Sequence, residues 1–89
     1  MSKKEALQQL KEARVEEVAY YQLNIDNYRL ALNLLNERQD PDLVDFEAQL
    51  KELLRTSLIE QKKAQTMLDV VYIHLKVRHG LRFSAKQCY

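Results

Sequence analysis

The residues able to do chemistry in this chain are few, and their spacing does not bring them together. Its two histidines, His74 and His79, are five positions apart, about 140° around a helix, so their imidazoles do not converge on one metal ion. A di-iron bundle needs a Glu-x-x-His pair on each of two helices, but Val71 and Lys76 stand three residues before His74 and His79. His74 therefore reads as a helix-edge residue and His79 as a capping residue near a helix C-terminus. Glu12 and Glu16, with Glu5 behind them, are spaced by helical turns as a working carboxylate pair would be. They sit among Lys11 and Arg14 on a polar stretch, which is the pattern of a solvated face. Ser2, Ser57 and Ser84 stand in no nucleophile motif, and the one glycine, Gly80, cannot build a phosphate-cradling loop. The single cysteine, Cys88, has no intramolecular disulfide partner and no base placed to activate it. No catalytic site, metal site or cofactor is expected.

Tyrosine is the more unusual resource, at positions 20, 21, 28, 72 and 89. Tyr21 and Tyr28 fall opposite a stretch of the second half that is poor in apolar residues, where Thr56, Ser57 and Gln61 could take their hydroxyls into a polar, register-fixing layer. The sharper alternative is a small-ligand pocket lined by Tyr21, Asn24, Tyr28 and Gln61.

The elements that must position these groups are helical. With one glycine, one proline and 46% hydrophobic residues in 89, there is little material for turns or sheets, and room for only one domain with a modest core. From Lys3 to Arg38 the apolar positions Val18, Tyr21, Ile25, Tyr28, Leu32 and Leu35 alternate in steps of three and four. This is a coiled-coil seam with Val18, Ile25 and Leu32 at heptad position a and the others at d. Leu7 and Leu10 extend it weakly past Lys11 and Arg14, so the first two turns are expected to fray. Pro41 cannot continue that helix but suits the start of another, with Asp40 to cap it. The second pattern runs through Leu43, Phe46, Leu50, Leu53, Leu54 and Leu58, then Ala64, Met67, Leu68, Val71 and Leu75, and stops at Gly80. The expected organisation is a helix over 3–38, a turn at 39–41, an antiparallel helix over 42–79 and a basic, aromatic tail over 80–89. Tyr21 should lie near Leu58, and Leu35 near Leu43 and Phe46. The β-branched cluster from Val70 to Val77 also fits a strand, but no second strand exists to pair with it.

Such a hairpin leaves apolar surface uncovered. Tyr20, Leu23, Leu30 and Leu34 point away from the first seam, and Val70, Ile73 and Val77 belong to a stretch that is apolar nearly all round. Closing a symmetric dimer into a four-helix bundle would bury them. The rival cover is the chain's own Leu81, Phe83 and Tyr89, folded back.

Charge is balanced overall, 14 basic against 13 acidic side chains, which argues against a surface built wholly for polyanions. Residues 74–89, however, carry Lys76, Arg78, Arg82 and Lys86 and no acid. Arg78, Arg82 and Lys86, with Phe83 and Tyr89 as apolar anchors, form a candidate docking strip. There is no apolar run of membrane-spanning or signal-peptide length, and a cytoplasmic location is expected. The function expected is non-enzymatic: an adaptor, regulator or inhibitor binding another protein, of the size common among phage- and plasmid-type accessory proteins. A dimer binding nucleic acid through paired basic tails is the alternative. It is disfavoured because no helix-turn-helix spacing accompanies the strip.

Overall fold

The computed structural model describes residues 2–78, without the side chains of 77 and 78. Two long helices make up nearly all of it: α1, Lys3–Arg38, and α2, Val44–Arg78, joined by a single turn of 3-10 helix at Pro41–Leu43. No strand occurs among the described residues, and the β-branched cluster is helical as far as Arg78. No described helix is long and apolar enough to cross a membrane.

Each boundary has a local cause. Ser2 caps α1: its Oγ accepts the Glu5 N–H at 3.1 Å and donates to Glu5 Oε1 at 3.1 Å, so one of the unpaired amides of the first turn is satisfied. With that cap the helix begins at Lys3, including the turns whose seam positions are polar. At the other end Gln39 takes a left-handed conformation, φ 49° and ψ 45°, and its N–H donates to the Leu35 carbonyl at 2.8 Å. Asp40 then turns the chain, its Oδ1 accepting the Asp42 N–H at 2.9 Å while Pro41 opens the 3-10 turn. The second helix thus starts at Val44, two residues later than the pattern predicts, because Pro41 to Leu43 wind more tightly first.

The helices pack antiparallel along the expected α1 seam. Ile25 is 1% exposed and Leu35 is buried, and Val18, Tyr21, Tyr28 and Leu32 are half-buried around them. Leu7, Lys11 and Arg14 continue the half-buried row towards the start. On α2 the row that faces α1 is Glu47, Leu50, Leu54, Ser57, Gln61, Ala64, Leu68, Val71 and Leu75, buried or half-buried throughout. Leu50, Leu54, Ala64, Leu68, Val71 and Leu75 are in the pattern read from the sequence, whereas Glu47, Ser57 and Gln61 are not. Phe46, Leu53 and Met67 belong to the apolar pattern, yet they stand one position before Glu47, Leu54 and Leu68 and are about half exposed. One position is about 100° of helix. A seven-residue seam held against α1 keeps its period through polar residues at 47, 57 and 61 rather than following the largest apolar side chains.

Candidate interaction surfaces

Gln61, at the middle of the hairpin, carries the cross-helix polar contact. Its Nε2 donates to the Val18 main-chain carbonyl at 3.3 Å and to Gln22 Oε1 at 2.8 Å, and Gln22 Nε2 passes the relay to Asp26 Oδ1 at 3.0 Å. A polar contact therefore crosses the hairpin at Gln61, but its donor is an amide and not the tyrosine hydroxyls that the sequence suggests. Among the described residues the Tyr21 and Tyr28 hydroxyls enter none of the hydrogen bonds. Neither of two depressions along the described residues brings together the four residues of the suggested ligand pocket. Tyr21 borders a depression with Arg14, Glu17, Glu60 and Met67, whereas Gln61 borders another with Val18, Gln22 and Gln65. Their volumes, 190 and 320 Å³, lie below or close to the roughly 300 Å³ at which sites begin to enclose a ligand.

These two depressions identify the two broad sides of the hairpin. On the Gln61 side the flanks are Gln22, Lys62 and Gln65, with Gln65 Nε2 donating to Asp69 at 3.0 Å. That side is polar along its middle. The other side holds two ion pairs, Arg14–Glu17 at 2.7 Å and Lys63–Glu60 at 3.1 Å, each within one helix. Beyond these compensated charges the same α2 edge exposes four large apolar side chains: Phe46, Leu53 and Met67, at multiples of seven, and then Val70. Glu60 and His74 share the same seven-residue row, and this polar interruption hides the row from a reading guided by hydrophobicity.

A third surface runs along the back of α1, away from α2. Tyr20, Leu23 and Leu30 are 60–62% exposed and Leu34 is 47% exposed, with exposed Asn27 among them. Tyr20 is braced by Tyr21, their rings meeting edge to face with centroids 5.5 Å apart. This is the set expected to point away from the seam, and it does. Of the other residues expected on the uncovered surface, Val70 is exposed and Ile73 half-buried. The Val77 and Arg78 side chains, and all of Arg82, Phe83, Lys86 and Tyr89, lie outside the described residues. His74, Glu12 and Glu16 are exposed. Among the described residues no group of three or more His, Cys, Asp or Glu side chains is placed to share a metal ion.

Comparison with protein-family models, with curated proteins and with solved structures found no match to this chain.

Proposed function

We propose that this chain is a non-enzymatic interaction module, a helical hairpin that works as an adaptor, regulator or inhibitor by offering an apolar edge to another protein. One observation carries the reading. Among the described residues, thirteen large apolar side chains are exposed, against a buried core of six hydrophobic residues. Covering such a side chain fully is worth about 1.5–3 kcal/mol, so a partner that covers several gains more than either shallow depression could give a small molecule. The sidedness of the hairpin supports the same conclusion: Phe46, Leu53, Met67 and Val70 gather on one edge of α2 while Gln22, Gln61 and Gln65 occupy the opposite broad side. The lone cysteine and the mixed surface charge fit a protein working in a reducing, cytoplasmic setting.

A photo-crosslinking residue at Leu53 or Met67, introduced in cells of the source organism, tests this directly. Adducts of one defined heterologous mass from both positions, absent when the probe replaces Gln65, support the module. Adducts formed equally from Gln65, or none at either apolar position, overturn it.

A further inference from the structure

The stripe on the back of α1 is arranged to meet itself. Tyr20 and Leu34 lie seven residues to either side of Asn27, and Leu23 and Leu30 lie four before and three after it. The steps 20, 23, 27, 30 and 34 alternate three and four, which makes them a second seam by spacing, on the side of α1 that α2 leaves exposed. When two copies of one helix pack antiparallel about a two-fold axis, a residue a given distance before the axis meets the residue the same distance after it. With the axis at Asn27, Tyr20 meets Leu34 and Asn27 meets its own copy, while Leu23 and Leu30 come within one residue, about 1.5 Å along the helix, of facing each other. The charges at the ends obey the same rule. Glu16 and Arg38 are eleven residues to either side of Asn27, both exposed and in none of the ion pairs among the described residues.

We propose that a second copy of this chain binds the back of α1, antiparallel, with the dyad at Asn27, an Asn–Asn contact fixing register and Glu16–Arg38 pairs closing both ends. Four large apolar side chains per copy, each about half exposed or more, bury on the order of 1,000 Å² in total when paired, the lower bound for a biological interface and the size of a weak, reversible one. An asparagine within an apolar seam lowers affinity but penalises shifted alignments. The resulting dimer places α1 against α1 and leaves the Phe46–Met67 edge of α2 outside. It deepens the interaction reading by assigning one face its occupant, and it fails separately from that reading because the two use different helices.

Sedimentation equilibrium of the full chain, with circular dichroism of each variant at the same concentrations, reads the outcome. The wild type should weigh twice its 10.6 kDa chain mass. Leu23→Glu alone and Leu30→Arg alone should each weaken the dimer at least tenfold with helicity retained. The double variant, in which the introduced carboxylate of one copy would oppose the introduced guanidinium of the other at two symmetric places, should recover most of the loss. In a Cys88→Ser background, Asn27→Cys should oxidise to a covalent dimer while Gln22→Cys, on the polar side, stays free of the crosslink. A wild-type monomer at all concentrations, a dimer indifferent to Leu23→Glu, or a double variant no better than the singles overturns the proposal.

Discussion

Gln61 Nε2 and the Val18 carbonyl oxygen, 43 positions apart in the chain, lie 3.3 Å from each other across the hairpin. The Val18 carbonyl also belongs to the hydrogen-bond ladder of α1, so its loss of Gln61 leaves no orphaned acceptor. Gln61→Ala should therefore lower stability by only about 1 kcal/mol, the usual net worth of such a bond with some lost packing. Gln61→Leu, which adds apolar surface at a half-buried seam position, should match or exceed the wild type. Urea titrations of both variants check the order.

Ile25 is 1% exposed, whereas Ile59 is 46% exposed. Ile25→Ala should cost about 2–5 kcal/mol, because the surrounding helices cannot close fully over the space left. Ile59→Ala should stay within about 0.5 kcal/mol of the wild type. Thermal melts of the two variants, run at one protein concentration, should separate widely, and equal losses would place the core elsewhere.

The left-handed cap at Gln39 holds a residue with a β-carbon where glycine is usual. Gln39→Gly should raise stability by up to about 1 kcal/mol, since relief of the left-handed penalty exceeds the entropy of one glycine at this φ. A lower unfolding midpoint in denaturant would show that the Gln39 side chain contributes more than its backbone costs.

The hydrogen bond from Arg55, and then its charge, hold the Glu52 carboxyl below the usual carboxylate range, while Arg55 is raised by the same contacts. A group whose folded pKa is depressed contributes stability above its unfolded pKa and loses it as pH falls through the folded value. Any contribution from this pair thus disappears on the acid side and is flat through neutrality. Both side chains are well exposed, so Arg55→Gln should return the Glu52 titration to the ordinary range by NMR without measurably moving the melting temperature at pH 7.

The α1 seam was legible in the sequence because every position from Val18 to Leu35 on it is apolar or tyrosine, leaving pattern and packing in agreement. The turn was legible too, since proline and aspartate act through their own covalent and hydrogen-bonding properties. The inward face of α2 was legible in part, at Leu50, Leu54, Ala64, Leu68, Val71 and Leu75, and missed elsewhere. At 47, 57 and 61 the seam is filled by Glu, Ser and Gln, and the larger Phe46, Leu53, Leu58 and Met67 stand beside it, so hydrophobicity alone drew the face too broad and left out its polar members. What decides the face is the seven-residue period imposed by α1, a property of the pair that neither helix displays by itself. Drawing the face too broad also concealed the exposed α2 edge, while the back of α1 was visible as soon as a second apolar set appeared beside the first.

The Asp40–Pro41 bend at one end of an antiparallel pair also sets the order in which the pair can assemble. Contacts next to the bend, such as those around Leu35 and Leu50, close short loops, and each further turn encloses a slightly longer one whose added entropic cost grows only logarithmically. The hairpin is thus a zipper with its slider at the bend and a glutamine tooth, Gln61, partway along. Opening is expected to begin at the far end, where α1 contributes only the half-buried Leu7, Lys11 and Arg14 to the row against α2. Amide exchange should accordingly quicken from Leu35 back towards Lys3, with the steepest step beyond Val18.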